Sequence, residues 1–191
     1  MLKKKFFIVN FLIFLFGTNL YATTISFEIL ERNSLESNVK ESSYLIEDAL
    51  FEYFFDKGIV SSNSITCVSD SEKKDEQLFR KSLGEARQGS LDYFIEILVF
   101  YENTNSSGLS SSSSQITNIK KISWKLIDVK SDNLVASGTE NPLNKNLDDE
   151  KFGIYELTKN FADKIFSTIL QSTNSKSANL QSANSKSTKK K

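Results

Sequence analysis

Leu91 to Tyr101, Leu-Asp-Tyr-Phe-Ile-Glu-Ile-Leu-Val-Phe-Tyr, is apolar on both faces of an extended chain. Tyr93, Ile95, Ile97, Val99 and Tyr101 fall on one side, and Phe94, Leu98 and Phe100 on the other. Such a run predicts a central strand with a packed layer on each face. Glu96 is the exception. A carboxylate there calls either for a ligand-facing gap or for a route to solvent over an uncovered part of the face, and the second is the commoner outcome.

Elements on either side supply those layers. Thr23 to Leu30 places Ile25, Phe27 and Ile29 on one side and reads as a first strand. A helix follows from about Val39 to Lys57, its stripe formed by Leu45, Ile46, Ala49, Leu50, Tyr53 and Phe54, with Gly58 at C′. Ile59 to Val68 is a β-type segment interrupted by serines. Ser69-x-x-Glu72 has the capping-box form before a thinly striped helix, Ser71 to Gln88, expected on the surface of the sheet. After the central strand, Ile119 to Val129 and Leu134 to Gly138, joined through Ser131-Asp132-Asn133, complete an antiparallel meander. Pro142 ends it, and Asp148 and Asp149 head a last helix through Leu170. The expected fold is a single small α+β or α/β domain of order β-α-β-α-β-β-β-α. Its sheet is mixed, with packed helices and a C-terminal antiparallel meander.

The ends of the chain are different in kind. Lys3-Lys4-Lys5, the eleven-residue apolar run Phe6 to Phe16 and a polar stretch closing on Ala22 predict a signal peptide at residues 1–22. The run is short of the roughly 20 residues of a membrane-crossing helix. Export is therefore expected, to the periplasm or beyond the cell. The domain occupies 23–170. From Gln171 the chain repeats Ser, Asn and Lys and ends Lys189-Lys190-Lys191, so 171–191 reads as a disordered basic tail.

Overall neutrality hides this segregation. Of 24 Lys and Arg, three lie in the opening segment and five after Leu170, which leaves the body 16 against 24 acids, net −8. An acidic body argues against nucleic acid as a partner. With no His and one Cys, imidazole triads and the usual zinc sites are excluded, and no glycine-rich phosphate loop occurs. No cofactor or metal is expected. Cys67 reads as a small buried apolar residue, with an intermolecular disulfide as the alternative. Trp124, alternating with Ile122 and Leu126, reads as core. The adjacent acids Glu47/Asp48 and Asp148/Asp149 read as solvated or helix-capping charge. A glycosidase needs two acids about 5–9.5 Å apart across a cleft, and no such pair is marked.

Two stretches carry a resemblance. Ile46 to Val60 (IEDALFEYFFDKGIV) is a helix running through Lys-Gly into a strand. Ser90 to Glu102, followed by Ile122 to Gly138 (ISWKLIDVKSDNLVASG), is a strand and hairpin. In these and in element order, the chain resembles the envelope α/β domains of penicillin-binding-protein activator lipoproteins, the curli-secretion lipoprotein and the TolB N-terminal domain. The lipidated cysteine of the lipoproteins is absent, and Asp132-Asn133 stands where the turn often bears glycine. The resemblance implies a non-enzymatic, exported bacterial accessory module that docks on an envelope protein, and it transfers no catalytic residue. An edge strand or the serine-rich loop (Ser106, Ser107, Ser110, Ser111, Ser112) is the expected contact. Lys189, Lys190 and Lys191 could touch an anionic surface, so membrane contact is at most peripheral. The alternatives are a secreted or surface-associated structural protein tethered by that tail, and a carboxylate-dependent hydrolase. Oligomeric state is not fixed.

Overall fold

The computed structural model describes residues 22–32, 39–101, 119–142 and 150–187, with side chains as far as residue 173. In chain order its elements are β1 (Thr24–Arg32), α1 (Glu41–Asp56), β2 (Val60–Asn63), β3 (Cys67–Ser69), α2 (Glu72–Gln88), β4 (Tyr93–Tyr101), β5 (Ile119–Asp128), β6 (Asn133–Glu140) and α3 (Glu150–Ser187). The expected α+β domain with a mixed sheet is what forms. The β-type segment after α1 divides in two: β2 and β3 both pair parallel with β1, on the same side of it.

The sheet runs β2-β1-β4-β5-β6, with β3 beside the second half of β1. β1 and β4 are parallel; β4, β5 and β6 form the antiparallel meander. The doubly apolar strand lies at the centre. Ile95 and Ile97 are fully buried on one face and Phe94 on the other.

α1 and α3 cover the first face. Ile25, Phe27 and Ile29 of β1, Tyr93 to Tyr101 of β4, and Ile122, Trp124 and Leu126 of β5 meet Ile46, Leu50 and Phe54 of α1 and Leu157, Phe161 and Ile165 of α3. These are the stripes read from the sequence, and their burial is what stabilises two helices that short-range propensity would leave marginal. α1 ends as Lys57-Gly58 specifies. Gly58 takes φ +70°, its N–H donates to the Phe55 carbonyl, and the Ile59 N–H donates to Phe54. Buried Ile59 against Phe54 completes a Schellman stop.

The start of α1 is held from the sheet. Lys40 makes no side-chain cap; its N–H donates instead to Glu31 Oε1, 2.7 Å away on β1. Ser42 and Ser43, both buried in the first turn, lie 2.6 and 2.9 Å from the Tyr101 hydroxyl. Burial pushes that phenol up to about 12, so it stays neutral. Tyr101→Phe strands two serine hydroxyls, and urea denaturation should record a loss of about 1–2 kcal/mol. An unchanged midpoint would mean both serines find other acceptors.

Two local expectations are corrected. Ser69 is no capping-box residue: it belongs to β3, its hydroxyl donates to the Ser71 carbonyl, and Ser71 is the N-cap of α2 without a side-chain capping bond, its hydroxyl donating instead to Asp70. α3 does not stop at Leu170 but runs to Ser187. Residues 171–187 contain neither Gly nor Pro, so no residue type there breaks the backbone ladder. The last buried side chain of its described stripe is Ile169.

Candidate functional site

The second face of the sheet is covered over half its width. α2 lies across β1, β3 and the first half of β4, with Leu83 and Ala86, helped by Phe79, packed on Phe94, Ile127 and Val129. That apolar contact is small. Much of what lies between α2 and the sheet is charged instead.

Glu28 of β1 and Glu96 of β4 are register partners on this face, 1% and 3% exposed. Like charges directly across a strand pair repel. The two carboxylates are handled differently. Glu96 is met by Lys125 Nζ of β5 at 2.6 Å, and the half-exposed lysine carries that charge to the surface. Glu28 has the Ser82 hydroxyl of α2, while its Oε1 is buried without a hydrogen-bond partner. Desolvation first, then the Ser82 bond opposing it and the charges of Glu96, Asp75 and Glu85 adding to it, push its carboxyl up to about 7. Asp75 of α2 is 7% exposed and paired with Arg32 of β1. Cys67 is half-buried on β3 beside this layer, and burial together with Glu28 raises its thiol.

A raised carboxyl beside one paired with a lysine is the electronic arrangement of an acid–base couple. Here Glu28 sits beneath α2, and Glu96 lies behind Lys125 at the edge of a cleft. Among the described residues, no group of three or more His, Cys, Asp or Glu is placed to hold a metal ion.

Among the described residues, the face beyond α2 is open. A cleft of about 240 Å³ lies over β4, β5 and β6, floored by Leu98, Ser123 and Gly138 and flanked by Lys125, Ser137 and Thr139. Half-buried Phe100 stands beside it, with Lys121 Nζ 4.3 Å and the Arg32 guanidinium 6.0 Å from its ring centroid. The sheet ends at β6, eight residues long and paired with β5 alone among the described residues.

The expected contact residues Ser106, Ser107, Ser110, Ser111 and Ser112, together with Lys189, Lys190 and Lys191, lie outside the described residues, as do Asp148, Asp149 and residues 1–21. Trp124 is core, 5% exposed. Glu47 accepts a 2.7 Å bond from Thr66, and Asp48 is exposed, so that pair is structural and solvated charge. Glu96 does not reach solvent as expected; Lys125 reaches it instead, and Glu96 lines the edge of the cleft. Cys67 is less buried than expected, because a three-residue strand leaves it beside the sheet edge.

Glu28 was missed. Its signal was present: Glu-Ile-Leu occurs at 28–30 and again at 96–98, in two apolar strands. Pairing such strands in register stacks their carboxylates.

No helix among the described residues is long and apolar enough to cross a membrane. No curated protein matches the chain. Solved structures similar to it include a leucine-to-methionine variant of the PelC dodecamer from Paraburkholderia phytofirmans (11% identity, 73% of this chain and 85% of that one, TM-score 0.45). TolB from Acinetobacter baumannii is similar at 11% identity over 78% of this chain and 28% of that one, TM-score 0.41. The LpoB C-terminal domain from Salmonella enterica is similar at 12% identity over 65% and 87%, TM-score 0.34. The resemblance to LpoB- and TolB-type domains is therefore present and weak. Residues 24–170 match a protein-family model described as "Uncharacterised protein", and the chain belongs to that family.

Proposed function

We propose that this is an exported, non-catalytic accessory protein of the bacterial cell envelope, and that it works by binding another envelope protein. The observation that carries the reading is β6. Edge strands are ordinarily blunted by shortness, proline or lysine. β6 has eight residues, Asn-Leu-Val-Ala-Ser-Gly-Thr-Glu, with neither proline nor lysine; its one bulge, at Val135, leaves Ala136 to Glu140 in regular register, and Leu134 is 58% exposed on it. Such an edge can take an added strand through backbone groups while the cleft beside it accepts alternate side chains. The opening segment, with its three lysines and apolar run, supports export.

A photo-reactive residue at Ser137, exposed on β6, tests this against one at Lys73, exposed on α2. In cells, the Ser137 probe should give one defined adduct with an envelope protein and the Lys73 probe none. Equal labelling from both positions, or retention of the protein in the cytoplasm, would sink the reading.

A further inference from the structure

α2 is attached to the sheet through a charged layer that does not balance. Asp75 and Ser82 from the buried side of α2 and Glu96 from β4 act on Glu28, Glu85 adds its charge from the exposed side of α2, and Cys67 lies on β3 within reach of the Glu28 charge. Four residues along β1, on the same face, stands Arg32. Asp75 takes Arg32, and Glu96 takes Lys125. Lys74 and Lys81 of α2 act at Cys67, and Lys81 lies 3.8 Å from Glu85 on the exposed side of the helix. Arg32, Lys125 and Lys81 thus each have an acid of their own, Lys74 is exposed on α2 and acts at Cys67, and Glu28 has a hydroxyl. A charge on Glu28 would sit 1% exposed, with one oxygen lacking any donor and a second carboxylate across the strand pair. Burying an unpaired charge is costly, and the protein can escape that cost by retaining a proton or by letting water in.

Water can enter at α2 more readily than elsewhere. Its buried residues are Asp75, Ser82, Leu83 and Ala86, two of them polar, whereas α1 and α3 share one large apolar core. Elements with few buried apolar contacts open locally at lower free energy than the whole domain. The chain leaves α2 through Gly89 and Ser90, the latter at φ 55°, and enters it from the three-residue β3. Lifting α2 would join the covered half of the face, Leu30 and Phe94 included, to the open cleft over β4 to β6.

We infer that α2 is a proton-latched cover: it lies closed on the sheet while Glu28 is protonated, and it lifts when Glu28 ionises. The latch is independent of whether β6 binds a partner.

Amide hydrogen exchange on the full mature chain, corrected for the intrinsic effect of pH, tests this. Between pH 5 and pH 8, α2 amides should exchange roughly 50- to 100-fold faster, the ratio set by a group that titrates near 7 when closed and near 4.5 when open. Core amides of α1, such as those of Leu50 and Phe54, should hold their protection. In Glu28→Gln the α2 response should vanish. Ser82→Ala, which removes the bond favouring the ionised form, should shift the response to higher pH. The latch is overturned if α2 protection is independent of pH, if α1 loses protection equally, if Glu28→Gln keeps the response or if Ser82→Ala leaves its midpoint in place.

Discussion

Glu28→Gln should raise the stability of the folded protein at pH 8 by on the order of 3 kcal/mol and leave it nearly unchanged at pH 4. The sign follows from proton counting. In the fold the carboxyl releases its proton near 7; in the unfolded chain it does so near its ordinary 4.5. Between those values the folded state holds a proton that the unfolded state has lost. Stability therefore falls as pH rises from about 4.5 to about 7, and is level with respect to this group above that. This is opposite to a salt-bridged carboxylate, which loses stability on acidification. The net −8 body also weakens the fold as pH rises, so the quantity to measure is the difference between wild type and variant. Urea midpoints at pH 4, 6 and 8 supply it. Two parallel curves would remove Glu28 as the titrating group.

Why the sequence revealed the sheet but not this layer is a matter of what periodicity carries. Alternation in β4 and β5, the stripes of α1 and α3, and Lys57-Gly58 all report burial on an element's own terms, and each formed as read. The glutamates at 28 and 96 look identical by that measure. Their contrast arises from neighbours distant in sequence: Lys125 comes to Glu96 from β5, and Ser82 to Glu28 from α2. The capping-box pattern failed similarly. Ser69 was captured by pairing with Arg32 of β1, so it is the last residue of a strand, two positions before the N-cap, when the motif requires it at the helix end. The uninterrupted helical composition past Leu170 was hidden by its repetitiveness, which reads equally well as lack of structure.

Gly138→Ala should destabilise the protein by about 1–3 kcal/mol, although the site is a strand where alanine ordinarily fits better than glycine. Gly138 is the register partner of Trp124 across β5 and β6, and the indole lies over it. A methyl at this position would come 2.5 Å from Cζ2 and 2.6 Å from Cε2 of the ring. Neither neighbour can yield freely, since the ring is 5% exposed and set in the core between α3 and the sheet. Stacking an aromatic over a strand glycine is itself a stabilising device, so the loss includes the displaced ring. The mechanism makes a stronger claim than the single variant. In a Trp124→Leu background, itself costly, the same alanine substitution should be neutral or stabilising by up to about 0.5 kcal/mol, because the clashing atoms are gone and glycine's extra unfolded freedom is removed. The two substitutions should therefore be coupled by at least about 1 kcal/mol in a double-mutant cycle. Additive losses would show that Gly138 matters for the backbone of β6 and not for the indole. The distinction bears on the proposed edge: if the ring is what shapes this segment, Gly138→Ala alone should weaken any strand addition at β6, and the double variant should restore it.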